Sequence, residues 1–160
     1  PADTLQYLGK ELSLLSTKPV LYLYNITDDS PSLNTEHLSL NVKLEEELSR
    51  MTSDEQKELG LISKLPLLAH EAYGLLGLMS YFTTGEDETR AWTIPRGSTA
   101  KRAGRAIHSD FEDKFIRAEI IFWKDLLDAG SFAKARQIGL VRIEGKEYIV
   151  KDGDVVEFKI

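Results

Sequence analysis

Four basic side chains lie close together in the sequence with no acidic residue among them: Arg96, Lys101, Arg102 and Arg105. Lysine and arginine bind phosphate oxygens, and a helix that begins at such a cluster adds backbone N–H groups and the positive end of its dipole. Cations in the first turn of a helix otherwise oppose that dipole by roughly 0.3 to 1 kcal/mol each. The cluster therefore predicts a site for RNA phosphate. The alternative is a solvated surface that the acidic segment 86–88 partly neutralises.

The element that positions this cluster is predicted from the spacing of apolar residues. They recur every three or four positions, as on one face of a single short helix capped by Ser98 or Thr99: Ala100, Ala103, Ile107 and Phe111. The polar residues at 110–114 then predict a connection in which the period changes. Beyond it the period is two, which predicts a half-buried strand with these residues on one face: Ile116, Ala118, Ile120 and Phe122.

From residue 79 onward the predicted order is strand, strand, helix, strand, strand, strand. Segments 79–85 and 89–97 flank the polar turn at 85–88 and predict a hairpin. A helical patch at 131–138 precedes a second predicted hairpin, turned at Gly145, and a last strand at 154–160. This is the order of a ubiquitin-like β-grasp, an α+β fold in which a curved mixed sheet wraps one helix.

The first 40 residues have a different character. Val20–Tyr24 is a continuous apolar run that polar residues end, a pattern typical of a strand buried on both faces of a parallel sheet. No second strand of that kind is predicted, because the segments at about 41–58 and 65–76 have a helical pattern. A buried strand without a partner leaves backbone groups unpaired. Residues 1–40 are therefore predicted to be the remnant of the end of a larger α/β domain.

The composition of the chain excludes several kinds of functional site and makes a membrane protein unexpected. The formal net charge is −6, and the excess acid lies in residues 1–85, with 12 acidic and 6 basic side chains, whereas residues 86–160 hold 14 of each. The absence of cysteine excludes disulfides, thiolate metal sites and cysteine nucleophiles in this sequence. No apolar run of about 18 residues and no signal-peptide pattern is found, so we expect no membrane partner and a cytoplasmic location.

Two other groups of residues have chemistry to weigh. His108 lies beside Asp110, but no nucleophile accompanies the pair, which favours a histidine at the edge of the core over a catalytic one. No spacing of Asp, Glu and His resembles a metal site, so none is predicted. Aromatic residues near the cations could stack on bases, although alternation favours core packing for most of them: Tyr81, Phe82, Trp92 and Trp123.

Three stretches resemble the TGS domain that closes the YchF or Obg-like ATPase family, a group of TRAFAC-class P-loop NTPases: YFTTGEDETRAWTIPRGSTA, AIHSDFEDKFIRAEII and GKEYIVKDGDVVEF. Upstream, LLSTKPVLYLYNITDD resembles the last part of that family's nucleotide-binding domain. The resemblance implies that Asn25 contacts the purine base. Asp28 stands where the family has a glutamate associated with a preference for ATP over GTP.

The motif that would bind the phosphates is not found in the 160 residues. Phosphoryl transfer by this class needs the pattern G-x-x-x-x-G-K-[ST], and the sequence has no match; RGSTAKRAG has similar residue types in another order. The resemblance implies ATP and Mg²⁺ for the intact parent protein. For this chain alone no catalytic residue is assigned, and neither ATP hydrolysis nor bound cofactor is expected.

The combined prediction divides the chain in three: 1–40 as the domain remnant, 41–78 as a helical connector, and 79–160 as the TGS β-grasp. The resemblance implies the C-terminal portion of a nucleotide-binding ATPase associated with ribosomes and translation. The β-grasp would dock on the ribosome, on ribosomal RNA, or on the protein's own N-terminal nucleotide-binding domain; DNA is not an expected partner. The alternative is a stand-alone, non-enzymatic adaptor that binds RNA or protein.

Overall fold

The computed structural model describes residues 12, 14–27, 37–85 and 88–160, and they form two compact units, Pro1–Leu76 and Gly77–Ile160. The described part of the first unit contains a 3₁₀ turn at Leu15–Thr17 followed by two strands and three helices: β1 (Leu23–Asn25), β2 (Leu38–Leu40), α1 (Val42–Ser49), α2 (Ser53–Glu58) and α3 (Leu65–Leu75). The helical segment predicted at 41–58 is two helices, because Thr52 caps α2 in a reciprocal capping box with Glu55.

The prediction that the strand near Val20 has no partner in this chain is wrong. β1 pairs in parallel with β2, and Asn25 lies opposite Leu40. Three-residue β2 is too short to show a period in the sequence, which explains why its pattern is not recognised. The prediction of burial on both faces also fails for the described chain, since all three residues of β1 are exposed.

The second unit is an α+β fold built on one five-stranded mixed sheet. Its elements are β3 (Leu78–Thr84), β4 (Thr89–Pro95), α4 (Ala100–Gly104), α5 (Ser109–Asp113), β5 (Arg117–Phe122), α6 (Trp123–Ala129), α7 (Phe132–Gln137), β6 (Arg142–Glu144) and β7 (Asp154–Lys159). The strand order is β4-β3-β7-β5-β6, with β3 and β7 parallel and the other pairs antiparallel. This is the β-grasp arrangement expected from the order of the predicted elements.

One face of this sheet packs on α4 and holds the main core. Tyr81, Ile120 and Ala103 are fully buried there, and the Tyr81 hydroxyl donates a hydrogen bond of 2.9 Å to the Ala103 carbonyl. The ring of Phe158 meets three others in edge-to-face geometry at 6.0 to 6.2 Å: Tyr81, Phe111 and Phe115. Such pairs stabilise a core by about 0.5 to 1.5 kcal/mol each beyond area burial.

The single helix predicted from Ala100 to Phe111 is instead two short helices, α4 and α5. At the end of α4, a Cβ on Gly104 would lie 3.0 Å from the Phe111 Cβ, so α5 packs directly against the glycine. His108 has an extended backbone and caps α5 by accepting a hydrogen bond of 3.2 Å from the Asp110 N–H. Residues 110–114, which were predicted as a connection, thus belong mostly to α5.

The second predicted hairpin, at Gly145, is also absent. Ile149 forms an antiparallel bridge with Thr99, and the Val150 N–H donates to the Ser98 carbonyl at 3.0 Å. The segment after β6 therefore pairs with the start of α4 instead of folding back on β6. This pairing fixes the N-terminal end of α4 to the body of the unit.

The opposite face of the sheet is covered in part by α6 and α7. Ile121 and Val155 are buried there against Ala129 and Ala135. Glu119, which alternation places on the opposite face of its strand from Ala118 and Ile120, is buried under α7, where Arg136 binds its carboxylate. The hydrogen bond from Arg136 holds the pKa of Glu119 below its usual range.

Glu119→Gln is expected to destabilise the chain by about 1 kcal/mol at pH 7, since Arg136 is half exposed and its pairing is screened by water. The depressed pKa of Glu119 means that its contribution is full above the unfolded-state pKa of about 4.3 and is lost as pH falls through the folded-state pKa. The difference in urea-unfolding free energy between the variant and the parent should therefore shrink between pH 7 and pH 3. Glu147→Gln, an exposed carboxylate with no described ion pair, is the control. A difference that is the same at both pH values would contradict the assignment.

Candidate functional site

Asn25 lies at the carboxyl end of β1, the edge of a parallel sheet at which α/β proteins bind ligands. Its side-chain carbonyl accepts a hydrogen bond of 3.2 Å from the Val42 N–H, at the start of α1. The Ile26 N–H donates to the Leu40 carbonyl at 3.0 Å, which continues the β1–β2 pairing past Asn25. With its oxygen engaged, Asn25 has a donating amide group that makes no hydrogen bond within the described chain and is exposed.

A cleft lies next to the carboxyl end of β1. Its volume is about 200 Å³, and Thr27, Asn41 and Lys64 are among its lining residues. Asn41 caps α1 by accepting from the Leu44 N–H at 3.1 Å. Buried Glu45 accepts from the Ser63 hydroxyl and the Lys64 N–H, and so fixes the cleft wall. Asp28, the second residue predicted to contact the base, lies outside the described residues.

The four predicted cations do not form one uniform group. Arg102 and Arg105 both face Glu112 of α5, at 3.6 Å and 2.9 Å between nitrogen and oxygen. The hydrogen bond from Arg105 lowers the pKa of Glu112, whose side chain is only 16% exposed. These two arginines therefore link α4 to α5, and part of their charge is neutralised within the fold.

Arg96 and Lys101 are the cations that remain available. Both are exposed, and neither forms an ion pair with any other described residue. Arg96 lies in the turn after β4, and Lys101 lies in α4. Because α4 has five residues and Thr99 already caps its Arg102 N–H, the helix terminus adds little to anion binding. The capacity of this surface to bind phosphate rests on the two side chains themselves.

The other residues considered from the sequence have structural contacts. Trp92 donates to the Thr83 hydroxyl at 2.9 Å and is covered by the Arg90 guanidinium at 4.3 Å from the ring centre. Tyr81 is buried, and desolvation raises its pKa far above the ordinary range. His108 is exposed and serves as the cap of α5. No group of three or more His, Asp or Glu in the described part of the chain could hold a metal ion. No helix among these residues is long and apolar enough to cross a membrane.

Sequence reasoning missed a buried polar group at the start of β7. Asp154 accepts hydrogen bonds from the Tyr148 hydroxyl and the Lys151 N–H, both at 2.9 Å, and Arg142 lies 3.6 Å away. The available signal was the Asp152-Gly153 turn with a second aspartate directly after it. That pattern gives no indication of burial, because aspartate is usually exposed next to a turn.

Comparisons with known proteins agree on one family. Residues 78–160 match the family YchF-GTPase_C, which is described as a protein of unknown function. The chain is similar to the ribosome-binding ATPase YchF of Bacillus subtilis, at 42% identity over 96% of the chain and 48% of the relative. It is similar to Obg-like ATPase 1 of Caenorhabditis elegans, at 36% identity over 97% of the chain and 45% of the relative. The solved structure of the Schizosaccharomyces pombe YchF GTPase superposes with a TM-score of 0.82 at 34% identity, covering 96% of this chain and 46% of that one. The chain thus spans about half the length of these relatives.

Proposed function

The chain belongs to the YchF/Obg-like ATPase family, and from that membership we propose that it is the C-terminal portion of a nucleotide-binding ATPase that associates with ribosomes. The observation that carries the proposal is the coincidence of the family match at 78–160 with the compact unit Gly77–Ile160. That unit, identified with the family's TGS domain, is the docking module. Residues 1–40 and 41–78 are assigned as the end of the nucleotide-binding domain and its helical connector.

The nucleotide assignment draws on the geometry around Asn25. An exposed amide beside a cleft at the carboxyl end of a parallel strand is positioned to donate to an acceptor on a purine ring. Binding of the phosphates and of Mg²⁺ is assigned to the rest of the protein, because the 160 residues contain no phosphate-binding motif. ATP hydrolysis is accordingly proposed for the intact protein and not for this chain by itself.

The N-terminal nucleotide-binding domain is also proposed as the partner that covers the first unit. Large apolar side chains are exposed on both β1 and α3, among them Leu23, Tyr24, Leu65, Leu67 and Leu75. A helix and a strand that expose so much apolar surface usually pack against another element. The missing elements of an α/β domain would supply that surface, since β1 and β2 are two parallel strands of a sheet that can extend.

Docking on the ribosome is assigned to the surface around Arg96 and Lys101. Two exposed cations without described ion-pair partners can neutralise RNA phosphates without first breaking contacts of the fold. The bridge between Ile149 and Thr99 fixes the start of α4, so the surface is presented on a rigid element. The assignment to RNA rests on two supports. These side chains can bind phosphate, and relatives of the chain are named ribosome-binding ATPases.

We predict that the chain pellets with ribosomes and that its affinity falls as the salt concentration rises. Release of counterions from RNA gives a slope of log affinity against log salt of about −0.7 to −0.9 for each phosphate contact, so two contacts give a slope of roughly −1.5. Co-sedimentation between 50 and 300 mM KCl, with quantification of bound and free chain, measures that slope. Binding that does not change with salt, or no pelleting at low salt, would contradict the proposal.

A further inference from the structure

The turn at residues 145–148, which follows β6, is held against the start of α4. The Ala100 N–H donates to the Tyr148 carbonyl at 2.7 Å, and the Lys101 N–H donates to the Lys146 carbonyl at 3.4 Å. These two hydrogen bonds bring Lys146 beside Lys101, although α5, β5 and β6 separate the two lysines in the sequence.

The backbone of this turn is anchored to the body of the unit. The Tyr148 N–H closes the turn with a hydrogen bond of 3.2 Å to the Gly145 carbonyl. The Tyr148 ring is half-buried against the main core, and its hydroxyl donates to buried Asp154 at 2.9 Å. The turn therefore presents Lys146 from a fixed position, as α4 presents Lys101.

The tip of the turn has donors that the described fold does not use. Lys146 is exposed, and its ammonium group makes no hydrogen bond or ion pair with a described residue. The backbone N–H groups of Lys146 and Glu147 also donate to no acceptor within the described chain. Lysine side chains and backbone N–H groups are both common donors to RNA and DNA phosphates. The exposed Glu147 carboxylate opposes an anion here, whereas the nearby Glu144 is paired with Arg142 at 3.7 Å.

We propose that Lys146 and the tip of the turn bind the same RNA strand as Lys101, so that one phosphate-binding surface spans α4 and the turn. The contact rests on the proposed docking of the chain on ribosomal RNA, and it adds a third cation to Arg96 and Lys101. Two lysines side by side match successive phosphates of one strand. The sequence does not indicate Lys146 as a contact, because its place beside Lys101 follows from backbone pairing across the unit.

Lys146→Gln is expected to weaken co-sedimentation with ribosomes about threefold in 100 mM KCl, because one phosphate contact is lost. The third contact also steepens the expected salt slope of the parent from roughly −1.5 to roughly −2.3, and Lys146→Gln returns it to roughly −1.5. The matched control Lys134→Gln removes the same charge from an exposed lysine on α7 and should change neither value. Glu147→Gln should tighten binding about twofold, whereas Asp128→Asn, which neutralises an exposed carboxylate on α6, should leave it unchanged.

These variants separate a failure of the turn from a failure of the docking surface. If Arg96→Glu/Lys101→Glu loses affinity while Lys146→Gln keeps the affinity and slope of the parent, the turn is excluded as a contact and the surface around Lys101 stands. Equal losses in Lys146→Gln and Lys134→Gln would also exclude the turn. If the parent does not pellet, or Arg96→Glu/Lys101→Glu retains full affinity, the proposed docking is wrong and the contact of the turn is overturned with it.

A cross-link distinguishes RNA from a ribosomal protein as the partner of the turn. Lys101→Cys and Lys146→Cys, each carrying the same photo-activated cross-linker, are expected to attach to the same short stretch of RNA after irradiation with ribosomes. Attachment of position 146 to protein alone, or to RNA remote from the stretch reached from position 101, would overturn the proposal.

Discussion

Replacing Gly153 with alanine is expected to lower the free energy of unfolding by about 3 kcal/mol, because strain and overpacking act together. Gly153 has φ +84°, a left-handed conformation that side chains with a Cβ rarely adopt. A Cβ at this position would lie 2.7 Å from the Trp123 Cδ1 and 2.8 Å from the Phe122 Cε2. The backbone that carries both rings is held close to Gly153, since the Trp123 N–H donates to the Gly153 carbonyl at 3.0 Å.

Urea unfolding of the parent and the variant measures this loss, and Gly130→Ala separates its two causes. Gly130 has φ +81°, but nothing lies within 4 Å of the position its Cβ would take. Alanine there should cost only the backbone strain, about 1 kcal/mol. Equal destabilisation at the two positions would show that the contact with Trp123 and Phe122 has no energetic weight.

Reversal of the charges of Arg96 and Lys101 together, as Arg96→Glu/Lys101→Glu, is expected to weaken ribosome binding at least tenfold in 100 mM KCl. The variant removes two cations from the proposed phosphate contacts and adds two repelling charges. Arg102 and Arg105 are left unchanged, because replacing them would break their pairs with Glu112 and disturb the packing of α4 on α5. The measurement is the salt-dependent co-sedimentation of the two proteins side by side.

A matched control is Lys124→Glu/Lys134→Glu, which changes the net charge by the same amount on α6 and α7. Both lysines are exposed and form no described ion pair. If this control loses as much affinity as Arg96→Glu/Lys101→Glu, then net charge and not a defined surface governs binding. Retention of full affinity by Arg96→Glu/Lys101→Glu would also contradict the assigned surface.

The β-grasp fold could be predicted from the order of elements along the sequence, because four of the five strands of its sheet have six or seven residues and are long enough to show a period. Ala118 and Ile120 are buried on the face that the alternation predicts, whereas Ile116 and Phe122, predicted to share that face, are exposed. Short elements show no such period, and β2 has only three residues. The break between α4 and α5 depends on the contact of Gly104 with Phe111, which a pattern of apolar spacing does not reveal. The hairpin predicted at Gly145 likewise failed because Ile149 pairs with Thr99, which is distant in the sequence.

The candidate sites could also be predicted only in part, because tertiary contacts determine which side chains are available. The exposed cations were identified from composition, but the difference between Lys101 and Arg105 arises from Glu112, whose position depends on the packing of α5. Asn25 was identified from resemblance, whereas the hydrogen bond that orients its amide depends on the parallel pairing of β1 and β2. Asp154 was missed because its burial follows from tertiary contacts with Tyr148 and Arg142. Residue types predict which chemistry is available, and packing decides which groups remain free to perform it.

The surface around Lys101 is proposed to contact ribosomal RNA, and a site-directed cross-link tests that contact. The chain has no cysteine, so Lys101→Cys provides a single attachment point for a photo-activated cross-linker, and Lys124→Cys provides the same on α6. After irradiation with ribosomes in 100 mM KCl, we expect RNA cross-links from position 101, at least tenfold above those from position 124. Cross-links to RNA in equal yield from both positions, or from position 124 alone, would contradict it.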